Sequence, residues 1–468
     1  MKEPLWTKVL PAGLAGVGLC ILAFWWLSKP SSQLVERRPG ADLTDGETGT
    51  NAASAKWEGK LVKGPAVAPT NFTGLWPWFR GPERSAISTE TTPLARSWPE
   101  GGPKVLWKID VGEGYAATAI RQGRVYLIDY DQPAKADALR CLSLADGREI
   151  WRYTYAVKVK RFHGMSRTIP AVTDQYVVSL GPKCHVVCCD ALTGELQWKM
   201  DLVREFNVTV PEWYAGQCPL VDGDRVILGT GGDALVIAVD LATGKVVWKS
   251  RNPHKWEMTH SSLMPVEINQ TRMYVYCASR GVAGVAAQDG AVLWETPDWV
   301  VKMANIAAPL YVGDRRLFLS GGYDAGSMMI QLQPDGDKFK VKPLFRLRAK
   351  VFGSEQQTPI FYENHIFGVR PKPDEQLVCL NLDGKIVWSS GAANKFGAGP
   401  YMIAQGMLFV LNNDGVLTLA EASTTGFKKL AQARVLQGHE SWGPMALADG
   451  RLIVRDMTQM ACLDVSAQ

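Results

Sequence analysis

Five segments of this chain end in tryptophan with a glycine four residues earlier. Ala145-Asp146-Gly147 runs to Trp151, Leu192-Thr193-Gly194 to Trp198, Ala242-Thr243-Gly244 to Trp248, Gln288-Asp289-Gly290 to Trp294 and Leu382-Asp383-Gly384 to Trp388. Successive tryptophans lie 47, 50, 46 and 94 residues apart. The last interval is twice the first, so one repeat sits inside it with its Trp replaced, and Phe345 is the candidate. A chain that writes one unit again and again at such a period builds a repeat architecture. Asp-Gly or Thr-Gly between apolar runs marks a tight hairpin turn. The 45 Gly and 17 Trp among 468 residues then have one common explanation. So many glycines would weaken a helical bundle, whereas short strands joined by tight turns require them.

Upstream of each turn glycine lies a second recurring piece, two apolar runs around a turn. Pro170-Ala171-Val172 precedes Tyr176-Val177-Val178, Pro219-Leu220-Val221 precedes Arg225-Val226-Ile227-Leu228, and Pro359-Ile360-Phe361 precedes His365-Ile366-Phe367. Each repeat therefore reads as four strands in about 47 residues, which is one blade of a β-propeller. Complete units open near Ala117, Pro170, Pro219, Ser262, Pro309, Pro359 and Pro400. After Pro444 only three strands remain, and the missing fourth, Lys104-Val105-Leu106-Trp107-Lys108, lies 44 residues before Trp151. Placing it in the last blade closes the ring and covers an otherwise open sheet edge. The expectation is an all-β, eight-bladed propeller with four-stranded blades over residues 73–468, preceded by one transmembrane helix.

That helix is expected over residues 9–28, after a short tail of residues 1–8. Twenty residues without a charge, Val9 to Ser28, lie between Lys8 and Lys29, and Trp25 and Trp26 sit at the far end, where an aromatic belt belongs. The run ends in Phe24-Trp25-Trp26-Leu27, which disfavours cleavage as a signal peptide, and Leu19 before Cys20 disfavours a lipoprotein. Residues 29–72 lack hydrophobic periodicity and read as a flexible linker. Charge is nearly balanced across the span. An inner-membrane, single-pass placement with the propeller facing the periplasm therefore rests on the large domain that follows an N-terminal anchor. A net charge of +5 over this length excludes the basic field of a nucleic-acid binder, and a monomeric propeller is expected.

Asp190-Ala191-Leu192-Thr193-Gly194-Glu195-Leu196-Gln197-Trp198 and Asp240-Leu241-Ala242-Thr243-Gly244-Lys245-Val246-Val247-Trp248 resemble the repeat of the pyrroloquinoline-quinone (PQQ) propeller superfamily. Trp78-Phe79-Arg80-Gly81-Pro82 resembles the N-terminal segment of its membrane-anchored members. The resemblance implies a member related to the non-catalytic propellers of the BamB type, although the superfamily also holds quinone-dependent dehydrogenases. The repeat Trp reads as packing between blades. Cys188-Cys189 invites comparison with the vicinal disulfide of the dehydrogenases. Cys141, Cys188 and Cys462 occupy one place in their blades, however, which reads as a buried structural slot. The six His are scattered, so no zinc site is expected.

The loops leading into each innermost strand should surround one mouth of the channel. They carry Tyr115, His163, Arg167, Glu212, Trp213, His260, Asn305, Glu355, Gln356, His439 and Trp442, with Tyr214, Gln357 and Glu440 beside them. Convergent polar groups with Trp suit recognition of a peptide, glycan or small molecule; loop polarity and strand caps are the plainer reading. No catalytic residue is assigned. Glu212, Asn305 and Trp213 could be cast as calcium ligands and quinone stack, but no Asp base accompanies them. The expected function is a membrane-tethered, non-enzymatic scaffold or recognition module for envelope proteins or peptides, without cofactor. The alternatives are a PQQ- and calcium-dependent alcohol or sugar dehydrogenase and a carbohydrate- or small-ligand-binding module.

Overall fold

The turn signals and alternating apolar runs fold into eight antiparallel sheets arranged as blades, in a computed structural model that describes residues 16–24, 57–161 and 163–467. Blade 2 shows the pattern: Ala171–Val172, Tyr176–Leu180, His185–Asp190 and Leu196–Asp201 pair in chain order from the channel outward. Blade 8 is closed by the N-terminal strand as expected. Lys104–Asp110 pairs antiparallel with Gln459–Asp464, with Trp107 opposite Cys462. The middle strands are buried on both faces because neighbouring blades cover them, whereas outer strands such as Val246–Lys249 bury little besides their Trp. Each inter-blade layer is thus a small core. Val178, Leu180 and Cys188 of blade 2 pack with Val226, Leu228 and Ile237 of blade 3.

The repeat Trp does what its spacing implies. A register shift of one residue precedes it on the outer strand, for example between Leu196 and Trp198, and this bulge turns the ring toward the next blade. There the indole Nε1 donates to a backbone carbonyl: Trp107 to Leu144 (3.0 Å), Trp151 to Ala191 (3.2 Å), Trp198 to Leu241 (2.7 Å), Trp248 to Ala287 (3.1 Å) and Trp388 to Ser423 (2.9 Å). The turn glycine of the receiving blade lies under the ring. Gly194 has φ +75°, and a Cβ on it would sit 2.5 Å from Trp151. Phe345 fills the Trp position of blade 5 and lies against Gly384 of blade 6. Trp294 is the exception, because its Nε1 turns to the Met273 sulfur of its own blade. Replacing Gly194 by Ala combines a left-handed backbone with overpacking. Denaturant unfolding should therefore show a loss of about 2–4 kcal/mol. A change below ~0.5 kcal/mol would mean that the ring and turn are not in contact.

The segment before the propeller differs from expectation. Of the stretch read as a linker, residues 57–72 belong to the propeller. Gly59–Lys63 adds a fifth strand to blade 1, antiparallel to Glu149–Ala156, because its extended backbone satisfies the open outer edge of that blade. Only residues 16–24 of the expected membrane span are described; they are helical, and the rest of the span lies outside the described residues. No helix among the described residues is long and apolar enough to cross a membrane.

Candidate functional site

The lead-in after residue 73 crosses one end of the central channel and closes it. Trp76 exchanges backbone hydrogen bonds with Ile120 of blade 1 (2.9 and 2.8 Å), and Val172 of blade 2 donates to Pro77 (2.8 Å). Farther along, Ser88 donates to Ile403 of blade 7 (2.7 Å) and Ile403 to Ala86 (3.0 Å). Between these ties Arg80 is buried, and four of its five N–H donors go to carbonyls. Nε donates to Arg84 (3.0 Å), Nη1 to Thr358 (2.7 Å), and Nη2 to Ser85 and Pro359 (both 2.9 Å). Arg84 lies over the Trp78 ring at 4.3 Å and donates to Val221 of blade 3. The turn-rich lead-in therefore pins blades 1, 2, 3, 6 and 7 to one plug.

Above this floor the channel widens into a cavity of about 360 Å³. Trp76, Phe79, Arg80 and Ala86 form its base, and Ile169, Cys218, Ile306, Thr358, Met402 and Met445 its wall. Several wall residues immediately precede or follow the proline-opened starts of innermost strands. The rim carries eight of the eleven residues expected at the mouth: Tyr115, His163, Arg167, Trp213, His260, Glu355, Gln356 and Trp442. Tyr115 stacks on Trp442 at 5.2 Å and 19°, and its hydroxyl donates to Glu440 at 2.6 Å. Trp442 Nε1 donates to Asn413 Oδ1 (2.7 Å), and Gln357 Nε2 to the Trp442 carbonyl (2.8 Å). Burial, then the Glu440 carboxylate, pushes the Tyr115 phenol well above its ordinary value.

Arg167 sits with its guanidinium 5.5 Å from the Tyr115 ring and donates to the carbonyls of His163 (2.6 Å) and Gly164 (3.1 Å). Burial lowers its pKa to about 10, so it stays charged at neutral pH. His260 is buried beside it, packed against Gly216, and burial followed by the Arg167 charge lowers its pKa to about 4. It is therefore neutral under ordinary conditions. Glu355 is raised by burial, with Lys372 acting against the rise and Glu375 adding to it. Trp213 and Tyr214 both have left-handed backbones, with φ +62° and +73°. Such strain in consecutive bulky residues is held by the surrounding structure and concentrates at functional sites.

Three expected residues lie elsewhere. Glu212 is exposed outside the cavity, because the left-handed turn at Trp213 directs only the indole inward. His439 is exposed, and its carbonyl accepts from Met457 (3.3 Å). Asn305 is buried behind the wall between the lining residues Ala304 and Ile306, with Nδ2 3.5 Å from the Cys277 carbonyl. Tyr214 is buried as well, and its hydroxyl bonds Lys160. Reading the rim from loops that enter innermost strands overlooked Tyr323, which comes from the loop inside blade 5, and Met303. It also gave no sign of the lead-in as floor, since that segment has no counterpart in the repeat.

The residues present do not make a calcium–quinone site. Neither Glu212 nor Asn305 lines the cavity, and among the described lining residues Glu355 is the one carboxylate. Among the described residues no group of three or more His, Cys, Asp or Glu could hold a metal ion. Cys188 and Cys189 are buried thiols on opposite faces of their strand. Cys189 packs toward blade 1 and Cys188 toward blade 3, with its Sγ 3.8 Å from the Leu241 carbonyl. Burial raises the Cys189 thiol to about 12, so neither position presents a reactive thiolate to the channel.

Fold, repeat and one-ended channel define an eight-bladed propeller of the PQQ-repeat type. A family sequence profile, that of outer membrane protein assembly factor BamB, matches residues 134–372, and the chain belongs to that family. Solved structures share the fold at low identity. Quinohemoprotein alcohol dehydrogenase from Comamonas testosteroni is 11% identical, with TM-score 0.57, covering 84% of this chain and 81% of that one. A europium-containing methanol dehydrogenase is 14% identical, with TM-score 0.54, covering 81% and 89%. BamB from Moraxella catarrhalis is 12% identical, with TM-score 0.49, covering 77% and 99%. No curated protein sequence matches the chain.

Proposed function

We propose that the protein is a non-enzymatic recognition propeller of the cell envelope, tethered to the inner membrane through residues 9–28 and facing the periplasm. Family membership supports an assembly role of the kind that the family's name describes, with envelope proteins or peptides as partners. The observation that carries the reading is the mouth itself. Aromatic and amide groups converge there, and among the described lining residues no second carboxylate stands opposite Glu355 to form a carboxylate pair. Recognition needs such a convergence of anchoring groups.

Photo-crosslinker placed at Met303, on the rim and 57% exposed, is compared in cells with crosslinker at Thr243 in the turn of blade 3. The expected result is an envelope-protein adduct from position 303 alone, reduced at least about tenfold by the double change Trp213→Ala and Trp442→Ala, as truncated aromatic anchors are. Adducts from position 243 alone would place the contact on the other face. Stoichiometric binding of PQQ with calcium would replace this reading with the dehydrogenase. Protease protection tests the topology: a propeller untouched in spheroplasts would place it in the cytoplasm.

A further inference from the structure

We propose that the channel cavity binds a monocarboxylate with an apolar or aromatic body, held through its carboxylate by Arg167. The inference rests on the mouth being the contact surface and names the chemistry it would take. Three observations lead to it. The cavity is one-ended, because the lead-in from Trp76 to Ala86 is bonded into the innermost strands and blocks the lower channel. A polymer cannot thread it, so only a small molecule or a chain end can enter.

The second observation concerns charge. Two arginines line the cavity, and they differ in how many donors they have left. Arg80 gives four of its five N–H donors to carbonyls, which leaves a single Nη1 hydrogen. Arg167 bonds through Nη1 and Nη2 to the carbonyls of His163, Gly164 and Met165, leaving Nε–H and an Nη2 hydrogen uncommitted. Among the described residues no carboxylate pairs with it, and the titratable groups that act on it are the phenols of Tyr115, Tyr214 and Tyr323, which carry no charge at neutral pH. Glu440 is engaged by the Tyr115 hydroxyl. His260, kept neutral, adds no competing cation. A partly desolvated guanidinium without counter-ion is unfavourable, and an incoming carboxylate would gain charge-assisted hydrogen bonds there. One guanidinium edge with two free donors fits one carboxylate rather than a polyanion.

The third observation is the wall below Arg167, formed by Trp76, Phe79, Ile169, Met402 and Met445, which is apolar and adaptable. A volume of about 360 Å³ accommodates a small aromatic acid or the last residues of a peptide. The carboxylate has two sources, a free acid or a polypeptide C-terminus.

Calorimetry on the purified chain separates them with three probes: 3-phenylpropionate, the tripeptide Ala-Ala-Phe with a free carboxylate, and the same tripeptide amidated. The expected result is saturable binding of at least one acid, binding of the amide at least about tenfold weaker, and loss of at least about tenfold affinity in Arg167→Gln. Preference for the tripeptide over phenylpropionate identifies a chain end, and the reverse a free acid. No binding of either acid at millimolar concentration, equal binding of acid and amide, or undiminished binding by Arg167→Gln overturns the proposal. Comparison of acid with amide uses the unaltered protein, so a folding defect in the variant cannot mask the answer. Adducts at position 303 with no acid binding would remove this inference and leave the proposed function standing.

Discussion

Asp137→Asn is expected to stabilise the propeller at pH 8 and to flatten its loss of stability between pH 4 and pH 8. Asp137 lies on strand Ala136–Ser143 of blade 1, opposite Tyr155, and faces blade 2 at Gly181, where an added Cβ would sit 2.4 Å from its carboxyl. It is fully buried beside the Tyr155 phenol. Burial raises its pKa from 3.8 to about 8, which the Tyr155 phenol offsets only in part. Below pH 4 both folded and unfolded chains carry the proton. Between about pH 4 and 8 only the folded chain keeps it, so the unfolded state is increasingly favoured as pH rises. At 1.36 kcal/mol per unit, the effect over this window is on the order of 3–5 kcal/mol. His185 faces the same layer across from Tyr155, at 5.9 Å between rings, and it titrates in both proteins. The difference between wild type and variant therefore isolates Asp137. Denaturant midpoints measured from pH 4 to 8 provide the check, and parallel curves for the two proteins would refute the assignment.

Arg80→Met should produce the other large effect. The substitution keeps the apolar stem and deletes donors to Arg84, Ser85, Thr358 and Pro359, leaving carbonyls of the lead-in and blade 6 unsatisfied in a buried place. A loss of about 3–5 kcal/mol is expected. Limited proteolysis should then cut first within residues 73–95, because the plug is released before the blades open. Unchanged stability together with an intact lead-in would show that the backbone ties at Trp76 and Ser88 suffice on their own.

These two residues mark the division between what could be read and what could not. The repeat period, the eight blades, the closing strand Lys104–Asp110 and the substitution of Trp by Phe345 were all legible. Each is a local pattern, and each blade repeats it against the same kind of neighbour. The bulge that aims the Trp and the glycine beneath its ring recur for the same reason. Eight of the eleven expected rim residues lie at the cavity because loop position within a repeat predicts which end of the channel a residue occupies. Glu212, Asn305 and His439 fall outside it, since which side of a loop faces inward depends on backbone turns such as that at Trp213 and Tyr214.

The segment before the repeats was the least legible. Residues 29–72, without periodicity, read as linker, yet Gly59–Lys63 joins blade 1; residues 76–88, read as the start of the propeller, plug the channel. Their partners lie up to several hundred residues away, and no pattern within the segment announces them. By itself, the sequence determined that this protein is a closed ring of eight sheets, because tryptophan and glycine packing is written once per blade. Only the tertiary structure decided that the ring holds a one-ended cavity and that Arg167 lines it with donors to spare. Those properties arise where the lead-in and eight strand starts meet at a single axis, and no stretch of the chain contains that meeting.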